Sequence, residues 1–186
     1  MGYKFTIDKE FHFEAGHRVW AQKLEHEHLS IETECCCKHL HGHSYTVKVF
    51  LGANELNSSQ MVIDFKNLNF MKQFLDTTLD HKFIIDINDP NFDLITGIAD
   101  DANLTKNFII GILENARYVN LGATAKSSKP NVQLHRDSFV IVNFVPTSEN
   151  ICKFLKEYAQ ERIGNIATVT AVELWETKKS HARYED

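Results

Sequence analysis

Residues 35–52 read CCCKHLHGHSYTVKVFLG. Two patterns overlap in this stretch. From 43 to 52 polar and apolar residues alternate, so His43, Tyr45, Val47 and Val49 share one face of a β-strand, and His41 extends that face backwards. Just before the strand, three cysteines and three histidines fall within residues 35–43. His41 and His43 stand two apart. On a strand both imidazoles project from the same side, close enough to chelate one ion.

Working towards the N-terminus, residues 3–20 (YKFTIDKEFHFEAGHRVW) read as another strand. Phe11, Phe13, Ala15 and His17 share its apolar face. Three imidazoles from two strands make a three-histidine site with an open position, the zinc arrangement used for catalysis rather than for structure. His39 alternates with His41 and His43 and is an alternative third ligand. A structural zinc built from Cys35, Cys36 or Cys37 with His41 is a further alternative. Against it, structural sites space their cysteines as pairs two to four residues apart. His26 and His28 lie in the charged connection LEHEHLSIETE and read as solvated.

Towards the C-terminus, residues 64–79 form an amphipathic helix capped by Asp64, with Leu68, Met71, Leu75 and Leu79 as its apolar stripe. A second helix runs from about Thr147 to Ile163, ended by Gly164, and buries Ile151, Phe154, Leu155 and Tyr158. A strand at 168–179 and a hairpin return through HARYE close the chain. Residues 86–145 are irregular. They hold a helix near 104–117, a Gly/Ser/Lys-rich loop at 119–131 and a strand at 138–145, and a connection of this length reads as an insertion. The order implies an α+β domain on an antiparallel sheet, one domain over 1–186 with an insertion at about 86–138. Two further features stand out. Asp80 and His81 follow the first helix directly and, taken alone, read as a helix end with a satisfied histidine. Glu176 interrupts a hydrophobic strand; either it points to solvent beside Lys178, or it faces inward, where a carboxylate requires a hydrogen-bonding partner and a heterocycle with an NH–C–NH2 edge supplies two bonds.

The chain has 186 residues, a formal net charge of −5, 43% hydrophobic and 24% charged residues. These values are those of a globular protein with a real core. The charge argues against nucleic acid as a partner, and no apolar run approaches the roughly 20 residues that a bilayer span requires. MGYKFTIDKEF reads as a strand and not as a signal core, and the four cysteines form no spaced framework. The expectation is a cytoplasmic protein with reduced thiols.

Six motifs in order resemble the 6-pyruvoyl-tetrahydropterin synthase family, which includes the 6-carboxy-tetrahydropterin synthases. They are FEAGH (13–17), CKHLHGHSY (37–45), VIDF (62–65), LDHKF (79–83), PTSEN (146–150) and WET (175–177). The long insertion is similar to that of the longer, protozoan-type branch. The resemblance implies the tunnelling fold, a four-stranded antiparallel sheet with two helices on one face. It also implies a homohexamer of two stacked trimers with sites between subunits, Zn2+ as cofactor, and 7,8-dihydroneopterin triphosphate as substrate. His17, His41 and His43 match the zinc ligands, Cys37 the proton acceptor, His81 the relay histidine and Asp80 its supporting carboxylate. Glu176 matches the residue that anchors the pterin ring and is counted in the relay, while Thr147 and Glu149 match positions near the neighbouring subunit's pocket. Lys38, Lys82 and Arg183 are candidates for the triphosphate.

The expected reaction is zinc-dependent conversion of 7,8-dihydroneopterin triphosphate to 6-pyruvoyl-tetrahydropterin with loss of triphosphate, a carbon–oxygen lyase. Two alternatives stand within the enzyme class: formation of 6-carboxy-tetrahydropterin, and side-chain cleavage to 6-hydroxymethyl-7,8-dihydropterin for folate synthesis. The latter belongs to relatives with glutamate at the proton-acceptor position, and applies here if Cys37 replaces a native glutamate. A metal-bound pterin-binding module without turnover is the alternative from another class.

Overall fold

The structure, a computed structural model, describes residues 2–23, 35–98 and 104–185. His26 and His28 lie outside the described residues. In chain order the elements are β1 (Phe5–His17), β2 (His41–Ala53), α1 (Asn69–Phe74), β3 (Lys82–Asp86), α2 (Phe92–Thr96), α3 (Lys106–Leu113), β4 (Val119–Asn120), α4 (Leu121–Thr124), α5 (Pro130–Asp137), β5 (Phe139–Val142), α6 (Ser148–Ile163), β6 (Thr168–Thr177) and β7 (Ser180–Glu185).

Among the described residues the strands form a seven-stranded sheet in the order β4-β5-β3-β1-β2-β6-β7. The α+β class holds, but the expected four antiparallel strands become seven in a mixed sheet. β1 with β3 and β3 with β5 are parallel pairs; β2–β6, β6–β7 and β4–β5 are antiparallel. The reason lies in the short runs KFIID and FVIV. All four residues of β5, and Ile84, Ile85 and Asp86 of β3, are buried. Strands covered on both faces lose the alternation by which β1 and β2 are recognised.

The chain divides into two compact units. The first comprises Met1–Glu14, His43–Asp80 and Ser148–Asp186. Here Asp64 Oδ1 accepts the Lys66 N–H at 2.7 Å, capping a 3-10 turn (Phe65–Leu68) that leads into α1. A π turn over Leu75–Leu79 follows. Leu68, Met71, Leu75 and Leu79 are all 0–1% exposed, so each contributes roughly 1.5–3 kcal/mol of burial. Ile151, Phe154 and Leu155 of α6 are buried as expected, and Tyr158 is half-buried and stacks on Phe74. Gly164 ends α6 with φ of 60° and donates its N–H to the Gln160 carbonyl.

The second unit comprises Ala15–Gly42 and His81–Thr147. Its core joins Ile85 and Ile87 to Phe92, Ile109, Leu121 and Ile141, all at most 1% exposed. The helix read at 104–117 is α3, shorter at both ends. The stretch read as a loop at 119–131 holds β4 and α4, and α5 follows from Pro130. Gly122 of α4 lies against α5, where a Cβ would come within 2.8 Å of Asp137 backbone atoms.

Candidate metal centre

His17 ends β1, and His41 and His43 begin β2. One ligand atom from each of the three lies within 4.8 Å of the others, and His17 is buried while His41 and His43 are half-buried. Two glycines permit this convergence. A Cβ on Gly42 would sit 2.9 Å from the Ala15 carbonyl, and one on Gly16 would meet the Phe83 ring. The backbones of 15–16 and 42 therefore approach more closely than any side chain allows.

Hydrogen bonds then set the tautomers. A carbonyl oxygen only accepts, so a ring nitrogen bonded to it must carry the proton. His17 Nδ1–H donates to the Pro146 carbonyl at 2.6 Å, and His41 Nδ1–H donates to the His39 carbonyl at 2.9 Å. Both rings thereby present Nε2, and not Nδ1, as the nitrogen for a metal. Their centroids are 4.4 Å apart. His43 sets its ring edge-on to Tyr45, which stacks on Phe13. Neutral nitrogen donors with supporting carbonyls fit zinc. His39, the alternative third ligand, is exposed and supports His41 through its backbone instead.

The other residues singled out in the sequence are placed as follows. Cys37 lies in a 3-10 turn (Cys36–Lys38), half-buried, with its carbonyl accepting the Val19 N–H at 2.8 Å. Cys36 is exposed and Cys35 half-buried, and neither is in a disulfide. Asp80 Oδ1 accepts the Glu14 N–H at 2.8 Å, three residues before His17. His81 is exposed and has a left-handed φ of 57°, which non-glycine residues rarely adopt. Glu176 is half-buried near the end of β6. Burial, and after it the negative charge of Glu176, raise the Tyr45 phenol well above its ordinary range. Thr147 is half-buried with its N–H on the Val145 carbonyl, and Glu149 is exposed in the first turn of α6. Of the candidate cations, Arg183 is held at 2.7 Å by both Glu173 and Glu185, and Lys82 reaches the Asp137 carbonyl, while Lys38 is exposed.

Two contributors have no sequence signal of their own. The Pro146 carbonyl is a backbone group 129 residues from its histidine. Tyr45 was visible as a core residue of β2 but not as the ring against His43.

Comparison with known proteins agrees with this arrangement. The profile described as 6-pyruvoyl tetrahydropterin synthase matches residues 6–186. A relative from Aquifex aeolicus (strain VF5), named 6-carboxy-5,6,7,8-tetrahydropterin synthase, is 31% identical, over 98% of this chain and 99% of its own. A solved structure of an uncharacterized protein from Wolinella succinogenes is 41% identical, covers 98% of both chains and superposes with a TM-score of 0.82. The 6-pyruvoyl tetrahydropterin synthase of Caenorhabditis elegans is 23% identical with a TM-score of 0.54 over 98% of this chain and 95% of its own, a likeness of fold, here the tunnelling fold. No helix among the described residues is long and apolar enough to cross a membrane. With nearly the whole chain matched and the histidine motifs assembled at the junction of β1 and β2, the chain belongs to the 6-pyruvoyl tetrahydropterin synthase family.

Proposed function

We propose that this chain is a zinc-dependent synthase that converts 7,8-dihydroneopterin triphosphate to 6-carboxy-5,6,7,8-tetrahydropterin. The observation that carries this reading is the His17, His41 and His43 cluster, with two of its rings locked by carbonyls into the metal-binding tautomer. The name of the full-length relative from Aquifex aeolicus favours the carboxy product.

Zinc bound by the three histidines supplies Lewis acidity to the hydroxyl-bearing side chain of the substrate. The Cys37 thiolate accepts a proton from that side chain. His81, with Asp80 behind it, relays protons, and its unusual φ of 57° is the strain expected where function fixes a side-chain direction. Glu176 accepts two hydrogen bonds from the amidine-like edge of the pterin, a charge-assisted pair that fixes the ring. Thr147 and Glu149 lie near the pocket of a neighbouring subunit. The redox change is internal: the ring gains the two electrons that the side chain loses, triphosphate leaves as its carbon–oxygen bond breaks, one water supplies the second carboxylate oxygen, and cleavage of the bond between the first and second side-chain carbons releases a two-carbon aldehyde.

The reading takes residues 1–186 as one synthase domain with an insertion at about 86–138, acting in the cytoplasm as a dimer of trimers. β7 stands at an edge of the sheet among the described residues, and an edge strand is a place where a second copy can pair. Formation of 6-pyruvoyl-tetrahydropterin is the second reading, favoured by a cysteine at position 37. The same cysteine, in place of glutamate, argues against the hydroxymethyl product. Mass spectrometry of the products separates these. A carboxylate on the ring keeps one of three side-chain carbons, so a two-carbon fragment must appear with it. A product retaining all three carbons overturns the carboxy assignment, and no product at all favours a binding module.

A further inference from the structure

Four consecutive residues where β1 ends are each tied to a different partner. His17 Nδ1–H donates to the Pro146 carbonyl at 2.6 Å. Arg18 Nε lies 3.1 Å from Asp89 Oδ2. The Val19 N–H donates to the Cys37 carbonyl at 2.8 Å. Trp20 Nε1–H donates to Asp86 Oδ2 at 2.9 Å. The first and third bonds fix a metal ligand and the turn carrying the thiol. The second and fourth end on two carboxylates that the chemistry above does not use.

Asp86 and Asp89 are 2% and 1% exposed. Both belong to the corner between β3 and α2, and that corner is densely hydrogen-bonded. Asp86 Oδ1 accepts the backbone N–H and the side-chain amide of Asn88, and Asp89 Oδ1 accepts the Asn91 N–H at 2.8 Å. The Asp89 N–H donates to the Asp86 carbonyl, the Phe92 N–H donates to the Asp89 carbonyl, and Phe92 is buried in the core of the insertion. Carboxylates so deeply buried are kept only with partners, and each divides its two oxygens between its own corner and a side chain of residues 18–20. A corner held this firmly is a template against which the end of β1 is set.

We propose that Asp86 and Asp89 are positioning residues. Through Trp20 and Arg18 they set the segment 17–20, which aims Nε2 of His17 at the metal and holds the Cys37 turn by its carbonyl. The inference rests on reading His17 as a zinc ligand and Cys37 as the proton acceptor. It gives the start of the insertion a task in the active site.

The test uses the full-length, zinc-loaded protein with Cys35→Ser and Cys36→Ser, so that iodoacetamide reports on Cys37 by mass spectrometry. Trp20→Phe keeps the ring and removes its donor, while Asn88 still holds Asp86. Arg18→Gln removes the charge facing Asp89, and Arg18→Lys returns it. Trp20→Phe and Arg18→Gln are expected to weaken zinc affinity, read by transfer to a chromogenic chelator, by about tenfold, the cost of losing an outer-shell partner. Cys37 alkylation speeds up several-fold as its turn loosens. The kcat falls by about tenfold with KM within about twofold, since orientation and not binding is lost. Arg18→Lys recovers most of both losses, which a merely structural role would not require. The chelator and alkylation measurements need no substrate, so a parent without turnover would sink the proposed reaction and leave this inference to be judged. Folded variants with parental zinc affinity and parental alkylation rate overturn it. Should Trp20→Phe fail to fold, the Arg18→Gln and Arg18→Lys pair decides by the same readings.

Discussion

The ring of His17 and the carbonyl of Pro146 meet at 2.6 Å, although 129 residues separate them. That bond ties the end of β1 to the first residue of the PTSEN segment, two residues before α6 begins. It leaves His17 one nitrogen for a metal, and it makes the site depend on the chain closing correctly across the 129 residues between them.

Zinc should therefore follow the three histidines. Removing a ligand outright costs more than the 10–100-fold that loss of a supporting partner costs. His41→Ala is expected to lose zinc beyond that range by elemental analysis and chelator competition, whereas His26→Ala keeps it. Full zinc occupancy in His41→Ala would remove His41 from the site.

Cys37→Ala should abolish product formation while leaving zinc in place, because the thiol is assigned to proton transfer and not to the metal. Cys36 is exposed, and Cys35 and Cys36 precede the matched position, so Cys35→Ala and Cys36→Ala should turn over near the parent rate. Parental turnover in Cys37→Ala would hand the proton to another residue.

Glu176→Gln keeps the shape of the side chain but presents a donor where the pterin needs an acceptor. Calorimetry with a pterin analogue should show binding weakened by roughly 2–5 kcal/mol, the scale for breaking a buried charged pair. Unchanged affinity would leave Glu176 with no part in recognition.

Gly122→Ala should destabilise the protein by about 1–3 kcal/mol, the range for overpacking a close contact, since the new methyl on α4 would meet the Asp137 backbone on α5. Urea unfolding measures this directly, and a parental midpoint would show that α4 and α5 part readily.

Stability should also decline in alkali through Cys152. Burial, and then the negative charge of Glu149, push its thiol up to about 12. The folded chain keeps a proton that the unfolded chain sheds near pH 8.5. The contribution is therefore complete below that pH and lost as pH rises towards 12, at up to about 1.4 kcal/mol per pH unit. Urea unfolding between pH 8 and 10.5 should show a shallower pH slope for Cys152→Ala, and an identical slope would mean that other groups carry the effect.

What was legible in the sequence is what local pattern encodes. The alternation in β1 and β2, the Asp64 cap, the apolar stripe from Leu68 to Leu79 and the Gly164 stop all report on neighbours in the chain, as does the pair His41 and His43. β3 was hidden because a strand buried on both faces is a plain apolar run. The turn Cys36–Lys38 is held by a backbone bond from Val19 that no side chain announces. Asp86 and Asp89 looked like ordinary polar residues of an irregular segment. Their importance appears only when folding brings Trp20 and Arg18 to them across more than 60 residues of chain.

The most direct test of the account is zinc-dependent release of triphosphate from 7,8-dihydroneopterin triphosphate. The protein is stripped of metal, reloaded stepwise with zinc, and assayed for triphosphate and tetrahydropterin at each step. The account predicts turnover that is absent without metal, rises in proportion to zinc and saturates at one ion per chain, with the His41→Ala variant inactive throughout. Turnover by the stripped protein at the reloaded rate, or none by the fully loaded protein, would contradict it.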